Sequence, residues 1–314
     1  MSADRSATDR SAAAPGDTAA PPAAAPPHPV TPQRMPVVPL RPRLAAMTSS
    51  VPIPATLLAA YDAQLRLWVP AAPPASPVYE LEGPVLRVVG RTRGFVETAR
   101  DVGVRGADLD ALIRRHRDFF AVRGEAVEWK TRSHDVPADL SERLEAAGFV
   151  AEERETIVIG LTAPLASAPI LPDGITLRRV TERADFERIA ALQTEVWGED
   201  QAWLADDLES SVREAGDDVV IIVAEAGDLL VSSARLEFQP GTDFAGLWGG
   251  STLAEWRGRG IYRALVAARA HLAAGRGVRY LQVDASDDSL PILLRLGFAA
   301  VTTTTPYVWT PPAP

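Results

Sequence analysis

Along the C-terminal half of the chain, segments with the hydrophobic spacing of a helix alternate with segments that have the pattern of a strand. Apolar residues at helical spacing predict four helices, over residues 185–197, 203–212, 261–274 and 289–296. Between them, β-branched runs and alternating segments predict six strands, over residues 176–180, 219–224, 230–238, 246–253, 280–284 and 301–309. The predicted order is β-α-α-β-β-β-α-β-α-β, which indicates an α/β fold with a mixed sheet flanked by helices.

The N-terminal half shows a shorter pattern of the same kind. It predicts helices over residues 57–67, 107–122 and 137–147, and strands over residues 85–89, 94–96, 126–131 and 155–159. Residues 162–174 are rich in Ala, Ser and Pro and have no period. We therefore predict a linker there, between one domain over residues 51–161 and another over residues 175–314.

The first 50 residues differ from the rest of the chain. They hold 10 of the 27 prolines together with long alanine runs. Such a segment buries too little apolar surface to offset its ordering entropy, so it is predicted to be disordered. It lacks the apolar core of a secretory signal, so the expected location is the cytoplasm. Met47 precedes the first predicted helix and is an alternative translation start.

Composition excludes several classes of function. The chain has no cysteine, and its four histidines are scattered (His28, His116, His134 and His271), so no metal site is expected. No apolar run approaches the roughly 20 residues that span a bilayer. The net charge is −9, and the first 50 residues carry five arginines against three aspartates, which leaves −11 on the remainder. An acidic protein of this kind is not expected to bind nucleic acid.

One local cluster of positive charge stands out against this background. Six arginines and no acid lie between Arg257 and Arg279. The cluster begins in the turn Arg257-Gly258-Arg259-Gly260, between a predicted strand and a predicted helix. A helix N-terminus offers unpaired N–H groups and a positive dipole end to an anion, and glycine permits close approach of the backbone. Ordinary turn chemistry is the alternative, and the position between strand and helix favours a polyanionic ligand.

The segment Arg257-Gly258-Arg259-Gly260-Ile261-Tyr262 resembles the acetyl-CoA-binding motif Q/R-x-x-G-x-G/A of the GCN5-related N-acetyltransferase (GNAT) superfamily. The similarity runs from about residue 176 to residue 309 and includes the element order. The resemblance implies that backbone amides of this segment and the adjoining Arg263 bind the pyrophosphate. It further implies that Thr252 and Leu253 pair with the pantetheine, which enters between two splayed strands.

Two departures from the family pattern affect the chemistry. The last Gly/Ala of the motif is Tyr262, whose side chain must therefore point away from the pyrophosphate. Family members often carry an asparagine and a tyrosine before the Gly-Phe that corresponds to Gly297-Phe298. Ser286 and Leu293 stand at those positions. Ser286 is expected to contact the pantetheine arm, whereas Leu293 cannot protonate the departing thiolate.

The implied reaction is direct attack of an amine on the thioester, with a base that removes the ammonium proton. A backbone N–H near Leu253 is expected to polarise the carbonyl. The candidate bases are Glu237 and Asp284, each of which has an alternative role as a solvated strand-end carboxylate. Tyr307 is the candidate replacement for the missing acid, with packing as its alternative role.

The acceptor is expected to bind at the first two helices of the C-terminal half. Glu195, Trp197 and Trp203 combine a carboxylate for a cationic amine with aromatic walls. Packing within the core is the alternative role for the tryptophans.

The N-terminal half is predicted to be a degenerate domain of the same superfamily, so that the chain is a tandem. Its turn before the long helix, residues 102–107, lacks the motif spacing, and Asp108 and Asp110 follow where a pyrophosphate would be repelled. Both halves share a helix followed by Gly-Phe, at Gly148-Phe149 and Gly297-Phe298. This half is therefore expected to shape the site rather than bind the cofactor.

The predicted function is an acetyl-CoA-dependent N-acetyltransferase that acts on a primary amine of a small molecule or protein. A non-catalytic acyl-CoA-binding regulatory module is the alternative, and the missing tyrosine favours it. No membrane partner is expected, and a homodimer is possible by analogy with the superfamily.

Overall fold

A computed structural model describes residues 54–312. The predicted tail and the alternative start at Met47 lie outside the described residues. All described residues belong to one compact unit. No helix among them is both long and apolar enough to cross a membrane.

The elements of the N-terminal half follow its hydrophobic pattern closely. Its helices are α1 (Pro54–Gln64), α2 (Gly106–Arg123), α3 (Leu140–Ala146) and α4 (Thr162–Leu165). Its strands are β1 (Val78–Glu82), β2 (Val85–Val89), β3 (Gly94–Thr98), β4 (Val127–Arg132), β5 (Val150–Ala151) and β6 (Glu155–Leu161). The prediction did not include β1, β5 or the short helix α4.

The C-terminal half has the predicted order of elements. Its helices are α5 (Arg183–Trp197), α6 (Leu204–Ala215), α7 (Ile261–Gly275) and α8 (Leu290–Arg295). Its strands are β7 (Ile175–Val180), β8 (Val219–Ala226), β9 (Leu229–Phe238), β10 (Phe244–Thr252), β11 (Tyr280–Ala285) and β12 (Ala299–Trp309). The fold class predicted from the sequence, a mixed sheet flanked by helices, is confirmed.

One mixed sheet contains every strand of the described residues, in the order β1-β2-β3-β4-β12-β6-β11-β10-β9-β8-β7, with β5 beside β12. The two halves exchange their last strands within this sheet. Strand β6 of the N-terminal half pairs with β11, and β12 of the C-terminal half pairs with β4. The two exchanged strands also pair with each other. The sheet is thus continuous across residues 162–174, and the domain limits set there stay a prediction.

Helices cover both faces of the sheet in the C-terminal half. On one face, α7 packs through Leu265 and Val266 on a core that includes Ile222 and Leu247. On the other face, α5 and α6 enclose a separate cluster around Phe186, Ile189 and Leu208. The helix α1 lies on the same face as α5 and α6. It packs there on β6, β10 and β11 through an apolar cluster that consists of Leu57, Tyr61, Ile157, Ile159, Phe244 and Tyr280.

The strands β10 and β11 separate where the cofactor was predicted to enter. Their parallel pairing covers only Phe244–Gly246 and Tyr280–Gln282, although β10 runs on to Thr252 and β11 to Ala285. A bulge follows on the other side of β10, since Gly249 and Gly250 together oppose one residue of β9. Both glycines are exposed and lie beyond the last residue of β10 that pairs with β11.

Candidate functional site

A cleft of about 770 Å³ lies at the end of β10, between the N-terminus of α7 and the helix α8. Most of the residues that the sequence analysis assigned to the cofactor line it. They are Thr252, Arg257, Gly258, Arg259, Gly260, Ile261, Tyr262, Arg263 and Ser286. Trp197, predicted on the acceptor side, lines the same cleft. The structure thus gathers residues from three segments around the predicted anion site.

The turn before α7 depends on its two glycines. Gly258 has φ = 73° and Gly260 has φ = 88°, a left-handed region that side chains other than glycine rarely adopt. Gly260 is also the N-cap of α7 and supplies no capping side chain. The first N–H groups of α7 therefore lack a side-chain acceptor at the N-cap, as an anion site requires.

The charge of the cleft is opposite to that of the chain as a whole. Arg257, Arg259, Arg263 and Arg295 line it, against one acid, Asp288. Among residues 54–312, none of the four arginines forms an ion pair with a carboxylate. The cleft therefore presents uncompensated positive charge, which suits a ligand with several phosphates.

Neighbouring groups hold two of these arginines beside the turn. The Nε of Arg257 donates to the carbonyl oxygen of Thr252 at 3.1 Å. The guanidinium of Arg259 lies 4.6 Å from the centre of the Trp256 ring. Such stacking pre-orients the cation without neutralising it.

Tyr262 adopts the orientation that the family pattern requires. A Cβ built on Gly250 would come within 3.0 Å of its ring, so the phenol lies against β10 and not over the Arg-Gly turn. Burial raises the pKa of the Tyr262 phenol above its ordinary value. The tyrosine therefore forms a wall of the cleft and leaves the helix N-terminus open.

The N–H of Leu253 itself is engaged within the sheet, so the donor predicted near this residue stays a prediction. Its side chain is buried beneath α5 and α6, and its N–H donates to the carbonyl oxygen of Val231 at 3.0 Å. The exposed backbone of Gly249 and Gly250 is better placed, because the bulge removes these residues from regular pairing with β9. The Gly-Gly pair inside a predicted strand is the sequence signal that could have identified this bulge.

Ser286 lies at the start of the segment that leads into α8, as expected. Its Oγ contacts the Oγ of Ser289 at 3.3 Å and borders the cleft. Leu293, at the position of the family tyrosine, is fully buried with an exposure of 0%. No proton donor is available at that point of α8.

The three predicted catalytic residues lie outside the cleft. Glu237 forms an ion pair with Arg235, with 2.7 Å between its Oε1 and the arginine Nε, in the groove that α6 lines. Tyr307 is buried in the core of the N-terminal half, where β12 pairs it with Trp129. Asp284 has a side-chain exposure of 1% and forms an ion pair with Lys130. The position of Tyr307 corrects its predicted role as the acid, because the strand exchange carries this residue away from α8 and into the other half.

The predicted acceptor residues separate into different places. The indole Nε1 of Trp197 donates to the Oγ of Ser251 at 3.2 Å beside the cofactor cleft. Trp203 lines a second groove, of about 760 Å³, which runs along α6 and is closed on its other side by residues 68–79 and 90–92 of the N-terminal half. Glu195 is exposed on α5 and lines neither cavity.

A polar cluster missed by the sequence analysis lies where the two halves meet. Lys130 of β4 reaches across the exchanged strands to Asp284 of β11, and its Nζ lies 5.7 Å from the centre of the Trp248 ring. Burial by itself would lower the pKa of Lys130, but the adjacent Asp284 carboxylate raises it above its ordinary value. Beside this pair, Arg132 binds both Glu97 and the hydroxyl of Tyr61. No local pattern reveals this cluster, because the strand exchange brings its members together.

The described residues hold no group of three or more His, Cys, Asp or Glu side chains suited to a metal ion. The turn at Arg257–Arg263 offers backbone and guanidinium N–H donors of the kind that bind phosphate groups.

Comparisons with known proteins agree with this geometry. The family model "Acetyltransferase (GNAT) family" matches residues 183–298. No curated protein matches the chain. Among solved structures, the fold is similar to a GCN5-related N-acetyltransferase from Kribbella flavida (TM-score 0.59, 16% identity, covering 84% of this chain and 98% of that chain).

Two further structures extend the comparison. One is a tandem GNAT protein from the clavulanic acid biosynthesis pathway (TM-score 0.54, 15% identity, covering 73% of this chain and 79% of that chain). The other is a GCN5-related N-acetyltransferase from Sphaerobacter thermophilus (TM-score 0.52, 17% identity, covering 74% and 82%). The described fold is therefore similar to that of a tandem GNAT protein, and the match to the family model lies within the C-terminal half, over residues 183–298.

Proposed function

We propose that this protein transfers an acetyl group from acetyl-CoA to a primary amine of a small molecule or protein. The observation that carries the proposal is the cleft at the start of α7. It combines a glycine turn, a helix N-terminus without a capping side chain and four arginines that have no acidic partner among the described residues. A pyrophosphate is the ligand group that best satisfies these donors.

The splayed strands supply the path for the rest of the co-substrate. The pantetheine arm fits between β10 and β11, which stop pairing after Gly246 and Gln282. This path brings the thioester to the face of the sheet that carries α5 and α6. The exposed backbone at Gly249 and Gly250 is our candidate for the donor that polarises the thioester carbonyl.

The acceptor side of the proposal is the groove along α6. Trp203 lines it with an exposure of 47%, together with Trp68 and Tyr79 from the N-terminal half. The N-terminal half thus contributes to acceptor binding in this proposal and leaves acetyl-CoA to the C-terminal half. The predicted cytoplasmic location stays part of the proposal.

One observation favours a second candidate function, a non-catalytic acyl-CoA-binding regulatory module. Leu293 fills the position of the family's usual acid and is completely buried. Both candidates bind acetyl-CoA, and only the enzyme consumes it in the presence of an amine.

The test is release of free thiol from acetyl-CoA with a panel of primary amines, in the wild type and in Arg259→Ala. The enzyme hypothesis predicts amine-dependent thiol release, with a Michaelis constant for acetyl-CoA about tenfold higher in the variant, because one phosphate contact is lost. Arg279→Ala is the matched control, since Arg279 stacks on Tyr280 outside the cleft. Tight acetyl-CoA binding without thiol release from any amine would support the regulatory module instead.

A further inference from the structure

Glu155 opens the exchanged strand β6, which lies beside β11, one of the two strands that border the gap between β10 and β11. Thr156 is paired with Ala285, so Glu155 is one residue beyond the last pair of the ladder. Ile157 is paired with Asp284. Because side chains alternate along a strand, Glu155 points to the same face of the sheet as Asp284. That face is the one on which we expect the amine.

The distance from Glu155 to the proposed thioester position spans one strand. The strand β6 is the direct neighbour of β11, and neighbouring strands lie about 4.8 Å apart. Continued by one residue, the register of β6 and β11 places Glu155 level with Ser286, which lines the cleft and stands four residues beyond Gln282, the last residue of β11 that pairs with β10. A carboxylate on β6 at this level is therefore within reach of the gap, directly or through one water molecule.

Glu155 is the available carboxylate of this cluster. Its side chain is half-buried, and within residues 54–312 it forms no ion pair. Asp284 differs, because Lys130 and Gln282 both bind its carboxylate and its side chain is almost completely enclosed. Lys130 is thus engaged by one of two neighbouring acids, and the other retains its lone pairs for a ligand.

The charges around Glu155 favour its protonated form. Burial comes first, and the neighbouring Asp284 carboxylate adds to it, so that together they raise the pKa of Glu155 to about 7. Glu128 of β4 and Glu153 of the preceding loop act in the same direction, whereas Lys130 opposes them. A proton acceptor with a pKa near the working pH exchanges protons most effectively.

We propose that Glu155, which strand exchange delivers from the N-terminal half, takes the proton from the ammonium group of the acceptor. This inference rests on the proposed acetyl transfer. The ammonium N–H bond breaks and its proton passes to the Glu155 carboxylate. The amine nitrogen then bonds to the thioester carbon as the C–S bond breaks. The sulfur leaves with the electron pair and takes up the second proton of the nitrogen, and Glu155 returns its proton to water.

The experiment compares the full-length wild type with Glu155→Gln and with Glu153→Gln, an exposed neighbour that loses the same charge. On an amine that the wild type acetylates, we expect kcat/KM at pH 7 to fall about 100-fold in Glu155→Gln. The rise of its rate with pH should move from near 7 towards the pKa of the free amine. The Michaelis constant for acetyl-CoA should be unchanged. Glu153→Gln should move the profile only slightly, because Glu153 is the weakest of the named carboxylates that raise the pKa of Glu155.

A second measurement follows the protonation of the Glu155 carboxylate in the absence of turnover. Carboxyl carbon NMR of the wild type, assigned by the signal absent in Glu155→Gln, should show a titration near pH 7. A titration near the ordinary value of 4.5 would overturn the inference. A wild-type pH profile in Glu155→Gln would also overturn the inference, but it would leave the proposed acetyltransferase function intact. Failure of the wild type to release thiol with any amine would instead remove the proposed function, and this inference with it.

Discussion

The two halves of the molecule begin their long helices from similar turns and use them differently. Each helix start has two glycines with positive φ: Gly103 before α2 and Gly106 as its first residue, and Gly258 and Gly260 before α7. In the N-terminal half, Asp101 fills its own turn, because its carboxylate accepts the N–H of Gly103 and a guanidinium N–H of Arg105 at 2.8 Å each. These contacts hold the pKa of Asp101 below its ordinary value.

The C-terminal turn contains no such internal anion. Its helix has no acid in the first turn, whereas α2 has Asp108 there. Glycines and a helix N-terminus thus provide the backbone of an anion site, and the local charge decides whether a ligand or the protein's own carboxylate uses it.

The halves also depend on each other through their last strands. Tyr307, from the end of the C-terminal half, completes the core of the N-terminal half. Glu155, from the N-terminal half, reaches the gap in the C-terminal half. The half that binds no cofactor in our proposal therefore still supplies a residue to the reaction.

The strongest way to break this dependence is to remove one partner of the ion pair that joins the halves. Lys130→Met leaves the Asp284 carboxylate buried without a cation, so the free energy of unfolding should fall by about 3 kcal/mol. Chemical denaturation measures it. Lys130→Met/Asp284→Asn should recover part of the loss, because no uncompensated charge remains. Equal stability of the wild type and Lys130→Met would contradict the buried pair.

The difference between the two turns is tested by one substitution made in both. Gly260→Asp places a carboxylate at the N-terminus of α7 on a strained backbone, and acetyl-CoA affinity should fall about 100-fold, or about 2.8 kcal/mol. Gly106→Asp is the matched control, since Gly106 also has positive φ and open space around it. Calorimetry should find its affinity unchanged. Similar losses in both variants would show that the turns do not differ as described.

The raised pKa of Glu155 should also change how the free energy of unfolding depends on pH. The pKa of Glu155 is raised from 4.5 to about 7 in the folded protein. The folded state therefore holds this proton more tightly, and the stability present below about pH 4.5 is lost as pH rises through about 7. Glu155→Gln removes the penalty and should stabilise the protein at pH 8 by about 2 kcal/mol, after allowance for partial exposure. Urea denaturation at pH 5 and pH 8 checks it, and an effect equal at both values would contradict the shifted pKa.

The smallest effect on stability is expected from removing the Asp101 carboxylate from the N-terminal turn. Asp101→Ala removes the acceptor of the Gly103 N–H, and the melting temperature should fall slightly. Acetyl-CoA should still bind with a stoichiometry of one, because Asp108 remains in the first turn of α2. A second bound acetyl-CoA would show that Asp101 alone separates the two turns.

The sequence predicted those features that depend on neighbouring residues. The helix and strand order of the C-terminal half and the turn at Arg257–Gly260 follow from local period and turn chemistry, and the place of Ser286 follows from the resemblance to the family pattern. The strand exchange did not, because hydrophobic alternation defines the faces of a strand and not its partner in the sheet. Lys130, Glu155 and the displaced Tyr307 were therefore missed or misplaced for one reason.

A crystal structure of the protein with acetyl-CoA tests the central claim most directly. We predict the pyrophosphate against the amides of residues 257–262, the pantetheine between β10 and β11, and the thioester on the side of Trp248 and Glu155. Density for the coenzyme at the N-terminus of α2, or a gap between β10 and β11 left empty at saturating acetyl-CoA, would contradict the account.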